Sequence, residues 1–381
     1  MLHPWQGLRR RAVTSLVAMP GVAMMAWAFF AEDRWYETHM MVRYCVEDPG
    51  ALSRAHVVRV LVALAGAAVI AFANGAFVRR ALTLGAIGRA ALAVVLAFAV
   101  SDAVLRIVGR DRPSDADDPR RSKAPPPRSK TVKETSGRPI TYAIDSEGRR
   151  ARTPDDALDH AMPTIVLIGE SVGFGYGLDF EETIQAGLAR RTGLEVANLS
   201  VNALANDEAL TRLRAKLPAY ERPIAVVSFV VITWLERNVA DYRPRLALAS
   251  DGSLVEIPAA SPFLRGSRLL PPIRSLFGYH HDDEAIELTR AILRETADVA
   301  RARGAFPLFV LTECGGGRCL PTTNGRPYVA SRLTEDQPFA SIEVGLAPEQ
   351  TLVGDPHPNA SGATRYVDAI VTALRAAHVA P

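Results

Sequence analysis

The chain has 381 residues, a formal net charge of +3 and a charged fraction of 22%. This length predicts one to three domains. The near balance of acidic and basic residues argues against a protein that binds nucleic acid through bulk positive charge. Long apolar runs within the first 110 residues are not typical of a simple soluble protein.

Three apolar runs occupy the amino-terminal part of the chain, at about residues 13–30, 56–78 and 90–108. Each approaches the roughly 20 residues that an α-helix needs to cross a bilayer. One such run is often a buried core helix, but three in close succession with charged flanks predict two or three transmembrane helices. Residues 1–108 are therefore predicted to form a multi-pass membrane region.

The arginines predict the orientation of this region. They cluster before the first run, at 9–11, and between the second and third runs, at 79, 80 and 89. The positive-inside rule places both clusters in the cytoplasm. The first run also fits a cleaved signal peptide, with Ala-Trp-Ala at 26–28 as the cleavage site. Both alternatives place everything after residue 108 on the outer, periplasmic or extracellular side of the cytoplasmic membrane.

A segment rich in Pro, Arg, Asp and Ser follows at 109–138, with three consecutive prolines at 125–127. Such a composition cannot bury a hydrophobic core, so it predicts an exposed linker. From residue 139 onward the pattern becomes globular. Residues 139–381 are predicted to form one folded domain.

Strand-like and helical patterns alternate through this domain. Strands are predicted at about 164–168, 195–201, 224–232, 307–311 and 341–345, and helices at about 180–191, 207–217, 283–303 and 360–377. The alternation predicts an α/β fold in which helices cover both faces of a parallel sheet of about five strands. Ligands of such folds bind at the carboxyl ends of the strands.

An insertion at 240–281 interrupts the alternation. Residues 247–258 contain an Asp251-Gly252 turn between apolar flanks and predict a β-hairpin. Residues 262–279 mix three arginines with Leu, Phe and Ile. This second part is interpreted as a substrate lid, a membrane-facing segment or a surface excursion that packs on the domain.

The first predicted strand runs into a turn with the sequence Gly-Glu-Ser-Val-Gly at 169–173. Its glycines permit a sharp bend and a close approach by other groups. The turn is predicted to hold Ser171 exposed above the sheet, as in the Gly-x-Ser-x-Gly elbow of α/β-hydrolases. A dinucleotide-binding turn lacks its spacing here, and a P-loop lacks its lysine. A structural turn whose serine caps the next helix is the remaining alternative.

A serine nucleophile needs a base, and the base needs an orienting group. His357 lies in the sequence Gly-Asp-Pro-His-Pro-Asn at 354–359, directly before the last predicted helix. Pro358 and Asn359 favour a helix start, which predicts that His357 lies on a loop at the sheet edge. Asp355 is the candidate orienting acid. The alternative is a surface histidine between turn and cap residues.

Together these motifs resemble those of the SGNH/GDSL hydrolases. Residues 169–177 are similar to block I, with Glu170 in place of the usual aspartate, and residues 355–359 to block V, with Asp-x-His in place of Asp-x-x-His. Residues 142–149 resemble the lead-in segment of exported members. In α/β-hydrolases, by contrast, several strands precede the serine, and the acid and histidine come from separate loops.

The resemblance covers about residue 142 to the carboxyl end. It implies a flavodoxin-like three-layer α/β/α domain with Ser171 as nucleophile, His357 as base and Asp355 as orienting acid. It also implies an oxyanion hole formed by the backbone N–H groups of Ser171 and Ala203, the latter where block II usually has glycine. Thr233 stands where the block III asparagine is expected, and its hydroxyl is the third predicted donor.

A threonine hydroxyl is shorter than an asparagine amide, so two nearby asparagines, Asn202 and Asn206, are alternative donors. Removing one oxyanion donor costs about 3 kcal/mol of transition-state stabilisation. The Thr233 departure is therefore the feature that most favours a weakly active or inactive protein.

These observations predict a membrane-anchored serine esterase that acts on an O-acyl group of an envelope glycan, a lipid or an exported small molecule. No metal or organic cofactor and no nucleic-acid partner is predicted. One alternative is an inactive SGNH-like module that binds a glycan or a partner protein. Another is an O-acyltransferase subunit that receives its acyl group from a membrane partner.

Cys314 and Cys319 flank a glycine-rich loop. On the outer side of the membrane this pair predicts a small-loop disulfide, and two free thiols are the alternative. A zinc site would need two further ligands, which the neighbouring sequence does not supply.

Overall fold

The computed structural model describes residues 4–30, 51–74, 125–240, 243–259, 281–312 and 326–380. The chain forms two compact units, one containing the amino-terminal helices and the other containing the α/β domain. The predicted apolar helix at 90–108, the Cys314–Cys319 pair and the segment 262–279 lie outside the described residues.

Two helices are described in the amino-terminal unit, α1 at Pro4–Phe30 and α2 at Ala51–Asn74. They approach closely where two glycines meet, because a Cβ atom on Gly21 would lie 2.6 Å from the carbonyl oxygen of Gly66. Arg59 donates hydrogen bonds to two carbonyl groups at the end of α1. Within the described ranges, no helix has the length and apolar character needed to cross a membrane.

The α/β unit begins earlier in the chain than the sequence predicts. Strands β1 (Ser129–Thr135) and β2 (Arg138–Ile144) form an antiparallel hairpin, to which β3 (Arg150–Ala151) adds a third strand. The predicted linker at 109–138 is therefore wrong over its last ten residues. The reason is that β1 is polar and almost wholly exposed, so no apolar pattern marks it.

The remaining elements follow in chain order. The strands are β4 (Pro163–Ile168), β5 (Glu195–Asn198), β6 (Arg222–Val231), β7 (Arg245–Leu248), β8 (Leu254–Ile257), β9 (Phe306–Thr312), β10 (Ala340–Val344), β11 (Thr351–Leu352) and β12 (Asp355–Pro358). The helices are α3 (Ser171–Phe174), α4 (Ile184–Thr192), α5 (Asn206–Lys216), α6 (His281–Ala302), α7 (Arg326–Thr334) and α8 (Ala360–Ala376). Four short 3₁₀ segments are described at Phe180–Glu182, Leu217–Ala219, Ile232–Val239 and Pro348–Gln350.

Five strands form one parallel sheet in the order β10-β9-β6-β4-β5. The predicted α/β fold with about five parallel strands is confirmed. This is the flavodoxin-like order, in which the direction of strand addition reverses between β4 and β6. Ligands of such sheets bind beyond the carboxyl ends of the strands at that switch point. The segment containing Ser171 directly follows β4 and lies there.

Both faces of the sheet are buried, which explains why its strands are continuous apolar runs. Ile165 and Leu167 of β4 pack in a core with residues of α4 and α8. Val166 and Ile168 point to the opposite face and pack with residues of α5 and the end of α6. The helices therefore form the two outer layers.

Most predicted helices are confirmed to within a few residues, namely α5, α6 and α8. The predicted helix 180–191 is divided at Thr183, whose side chain accepts a hydrogen bond from the Ala186 N–H and begins α4. Helix α7 was not predicted. The hairpin predicted around Asp251 is confirmed as β7 and β8, with Asp251 accepting two hydrogen bonds from Ser253.

Candidate active site

The turn after β4 requires its two motif glycines. Gly169 has a φ of +141°, and a Cβ atom there would lie 2.7 Å from the Phe229 carbonyl oxygen. A Cβ atom on Gly173 would lie 2.5 Å from the Ser200 hydroxyl oxygen. Both distances are shorter than any real contact, so a side chain at either position would displace the turn from β6 or from the segment after β5.

Ser171 begins the short helix α3 and is only 1% exposed. The prediction that the turn holds this serine exposed is therefore wrong. The cause is the strand β12, whose residue His357 contacts the Ser171 hydroxyl. The histidine that contacts the serine follows it by 186 residues in the chain. The sequence of the turn alone therefore could not indicate that Ser171 is buried.

Asn198, at the end of β5, stabilises the turn from the side. Its side chain is fully buried, donates to the Gly173 carbonyl at 2.8 Å and accepts from the Ser200 N–H at 3.0 Å. Sequence reasoning assigned no role to this residue. The available signal was a lone asparagine at the end of an apolar strand, where an unpaired amide would be expensive to bury.

Three predicted residues form one hydrogen-bonded line. The Nε2 atom of His357 lies 2.8 Å from the Ser171 Oγ, and its Nδ1 atom lies 2.5 Å from the Asp355 Oδ1. The same carboxylate oxygen accepts the backbone N–H of His357 at 2.9 Å. The Asp-x-His spacing is thus compatible with an orienting acid, because one carboxylate reaches both the ring and the backbone two residues later, as in an Asx turn.

The charge of Asp355 suits this arrangement. Partial burial opposes its ionisation, but hydrogen bonds from the His357 ring and backbone outweigh that effect and hold the pKa of Asp355 below its usual value. An ionised acceptor at Nδ1 favours the tautomer with hydrogen on that nitrogen. The Nε2 atom is then left as the acceptor that faces the serine hydroxyl.

The prediction that His357 lies on a loop is wrong, because it lies in the short strand β12, which pairs with β11. This strand is held at its carboxyl end. The Asn359 side chain accepts from the N–H groups of Ser361 and Gly362, at 3.0 and 3.1 Å, and so caps α8. Its amide donates to the carbonyl groups of Glu349 and Thr351. The predicted helix start at this position is confirmed, and the cap connects β11 to the segment that carries His357.

Aromatic side chains lie beside the histidine. The ring centroid of Tyr176 is 4.6 Å from that of His357, and the centroid of Trp234 is 6.4 Å away. Behind Tyr176, the Tyr142 hydroxyl accepts the Gly177 N–H at 2.8 Å. Residues of the resembled lead-in segment thus support the turn that carries Tyr176.

Arg150 lies under this aromatic group. Its guanidinium is 4.4 Å from the Tyr142 ring centroid and donates to the Leu178 carbonyl at 3.0 Å. Burial lowers the pKa of Arg150 to about 10. This cation therefore connects the lead-in strands to the end of the nucleophile turn.

The predicted backbone donors lie on two neighbouring segments, Ser171 in the turn after β4 and Ala203 in the segment after β5. The β4–β5 ladder continues past β5, with the Val201 N–H donating to the Gly169 carbonyl at 3.0 Å. Two residues later, Ala203 has a φ of +62°. Since this left-handed conformation favours glycine, it accounts physically for the glycine that is usual in the resembled motif. Ser171 is a first helical residue, whose N–H lies outside the helix's own hydrogen-bond pattern.

Replacing Ala203 by glycine is expected to raise the free energy of unfolding by up to about 1 kcal/mol, because the left-handed strain of alanine exceeds the extra chain entropy of glycine. Urea unfolding of the two proteins measures this difference. Since the backbone N–H is retained, the variant keeps the predicted oxyanion donor. A destabilised glycine variant would contradict the strained conformation of Ala203.

Three side chains were predicted as candidates for the third oxyanion donor. Thr233 is the second residue of the 3₁₀ segment that follows β6, and the role of its hydroxyl stays a prediction. Asn206 shares two hydrogen bonds with the fully buried Asn238, at 2.9 and 3.1 Å, and Asn238 also donates to Thr289. The Asn206 side chain is therefore engaged in the fold. Asn202 precedes Ala203 in the chain and is half-buried, and its role as an alternative donor stays a prediction.

Over the part of the chain that the structure describes, no group of three or more His, Cys, Asp or Glu residues could hold a metal ion.

Comparison with family models and with curated proteins gives no match for this chain. Solved structures are similar to parts of it. TesA is 19% identical, with a TM-score of 0.36, and the match covers 56% of this chain and 98% of TesA. A lipolytic protein of the G-D-S-L family from Desulfitobacterium hafniense is 14% identical, with a TM-score of 0.33 and coverages of 55% and 98%.

The esterase EstA from Pseudoalteromonas sp. is 17% identical, with a TM-score of 0.32 and coverages of 56% and 98%. At these identities and TM-scores the similarities do not identify the function of this chain. The geometry of its own residues is therefore the basis for assigning a function to this chain.

Proposed function

We propose that this chain is a serine hydrolase that cleaves ester bonds. The observation that carries the proposal is the line from Asp355 through His357 to the Ser171 hydroxyl, with contacts of 2.5 and 2.8 Å. A serine hydroxyl becomes an effective nucleophile when a positioned base removes its proton as it attacks. The lowered pKa of Asp355 supports the same assignment, since an ionised carboxylate orients the base and stabilises the imidazolium.

The proposed reaction has two halves. The Ser171 oxygen attacks the ester carbonyl carbon while its proton passes to the Nε2 atom of His357. The tetrahedral intermediate then collapses, the carbon–oxygen bond to the alcohol breaks, and the alcohol leaves with that proton. Water next attacks the acyl-enzyme, gives a proton to His357 and releases the acid as Ser171 recovers its hydrogen.

Negative charge develops on the former carbonyl oxygen in both halves. The N–H groups of Ser171 and Ala203 are the proposed backbone donors for this charge, with either Thr233 or Asn202 as the third donor. Such donors supply a large part of the rate enhancement of acyl transfer because they are oriented before the reaction begins.

Asn202 is expected to contribute to turnover and Asn206 to stability. Replacing Asn202 by alanine should lower kcat about a hundredfold if its amide serves the oxyanion. Replacing Asn206 by alanine should leave kcat nearly unchanged but lower the free energy of unfolding by about 1–3 kcal/mol, because Asn238 loses a buried partner. Kinetics with p-nitrophenyl acetate and urea unfolding separate the two effects, and an unchanged kcat in Asn202→Ala would assign the third donor elsewhere.

The proposal also covers the class of substrate and the cellular location of the protein. We propose membrane anchoring from the three apolar runs of the amino-terminal region and an outer location from its arginine distribution. Together they favour an O-acyl ester of an envelope glycan, a lipid or an exported small molecule. Transfer of the acyl group to a sugar hydroxyl instead of water is the second candidate function. The same acyl-enzyme serves both, so acetyl transfer that outpaces hydrolysis in the presence of a sugar acceptor would favour the transferase.

A fluorophosphonate probe tests the hydrolase directly. The Ser171 oxygen is expected to form a bond to phosphorus with loss of fluoride, and peptide mass analysis should locate the label on Ser171. The label should be lost in His357→Ala, because the serine then lacks its base. A folded chain that does not react would instead favour the binding-module alternative.

A further inference from the structure

Glu170, directly before the nucleophile, is a buried carboxylate. Its side chain is 7% exposed, and its Oε2 atom accepts a hydrogen bond from the Arg237 Nη1 at 2.6 Å. Burying a carboxylate is costly unless a cation and hydrogen bonds compensate it. The residue that replaces the usual aspartate of the resembled motif is therefore paired with a particular arginine of this chain.

Arg237 contacts two sides of the site at once. It lies in the 3₁₀ segment Ile232–Val239, which follows β6, and β6 is the sheet neighbour of β4. Its guanidinium lies 4.0 Å from the ring centroid of Trp234, and Trp234 is one of the two rings beside His357. One side chain thus joins the residue before the nucleophile to an aromatic neighbour of the base.

The backbone of Arg237 is itself held by a buried ion pair. Its carbonyl oxygen accepts from the Arg243 Nη2 at 2.8 Å. Arg243 also donates to both carboxylate oxygens of Asp207, at 2.7 and 2.8 Å, and the Asp207 side chain is 2% exposed. Since the Leu246 N–H of β7 donates to the same carboxylate at 3.2 Å, these contacts extend from the inserted hairpin to the nucleophile turn.

We propose that Arg237 is a positioning residue for Ser171, which it positions by pairing with Glu170. This inference rests on the proposed hydrolase function. Arginine suits the role because its planar guanidinium can stack on Trp234 and donate to a carboxylate together. A lysine keeps the charge but provides neither the planar stack nor the fork of donors.

The test uses the full chain, with p-nitrophenyl acetate as substrate and a fluorophosphonate as the probe of serine reactivity. Arg237→Met is expected to lower both kcat and the labelling rate of Ser171 by about tenfold to a hundredfold, because a small displacement of a reacting atom has effects of that size. KM should change little. Arg237→Lys should restore part of the loss.

A double-mutant cycle tests the route through Glu170. If Arg237 acts through this carboxylate, its replacement should change kcat by no more than about threefold when Glu170 is already glutamine, because coupled residues are not additive. The matched control is Arg214→Met, which removes a 2.7 Å ion pair with Glu295 on the exposed surface. This control should leave kcat and labelling unchanged.

Several results would overturn the proposal. Unchanged kcat and labelling in folded Arg237→Met would do so, as would a raised KM with unchanged kcat, which indicates substrate binding. A loss of equal size in the Glu170→Gln background would also exclude the route through Glu170. If Arg237→Met does not fold, unchanged kcat and labelling in folded Glu170→Gln have the same consequence. Failure of the wild-type chain to label at Ser171 overturns the hydrolase function and this inference with it.

Discussion

Replacing Ser171 by alanine is expected to lower kcat for p-nitrophenyl acetate by about a million-fold, because the variant cannot form the acyl-enzyme. Loss of the base in His357→Ala should have a similar effect, and the double variant should be hardly worse, since the two residues act as a unit. Steady-state kinetics on purified full-length protein measure the rates. Circular dichroism establishes that each variant retains the fold.

The matched control is Ser200→Ala. Ser200 lies in the segment that contacts the nucleophile turn, and its buried hydroxyl has no hydrogen-bond partner among the described residues. Removing that hydroxyl should change turnover by no more than a few-fold. If Ser171→Ala keeps wild-type activity while Ser200→Ala does not, the nucleophile is wrongly assigned.

The sequence predicted the fold well where burial leaves a simple pattern. Strands β4, β6 and β9 lie between two helical layers, so their residues are apolar on both faces and their boundaries are correct to within two residues. Helix α8 presents one apolar face to the sheet, and its start is marked by Asn359. These signals are local, and for that reason a single sequence contains them.

The elements that were missed depend on partners distant in the chain or on weak patterns. Strand β1 is polar and gains its hydrogen bonds from β2 across the Ser136-Gly137 turn. Both turn residues have positive φ, at 51° and 74°, as a type I′ hairpin turn requires. Of these two residues, only the glycine is typical of a hairpin turn. The segment before it is rich in proline, which is typical of a linker. A polar hairpin was therefore assigned to the linker.

The candidate site likewise combines residues that a local motif marks with residues that are placed only by contacts distant in the sequence. Ser171, His357 and Asp355 carry recognisable motifs, and the structure brings them together at the switch point. Arg237 carries no motif, and its contact with Glu170 spans 67 residues of sequence. Asn238 likewise has a distant partner in Thr289, 51 residues later in the chain. The first contact follows from the pairing of β4 with β6 in the sheet, and the second from the packing of α6 against the segment after β6. The identity of the residue alone indicates neither contact.

Replacing Asp355 by asparagine is expected to lower kcat by about ten-thousandfold, because the amide favours the wrong histidine tautomer. The variant also removes a stabilising charge. The pKa of Asp355 lies below its usual value of 3.8, so its interaction with His357 stabilises the fold above that pH and loses this effect as the pH falls through the lower folded value. The deficit of Asp355→Asn in urea unfolding should therefore be larger at neutral pH than in acid.

The control is Asp368→Asn on α8, whose carboxylate contacts Arg191 at 2.5 Å on the exposed surface. This change should leave kcat unchanged, because the Asp368 carboxylate contacts Arg191 of α4 and no residue of the line from Asp355 to Ser171. If Asp355→Asn retained wild-type turnover, the short Asp-x-His spacing would be a structural turn and another carboxylate would have to orient the base. The two kinetic measurements, made at one pH, distinguish an orienting acid from a residue that only shapes the loop.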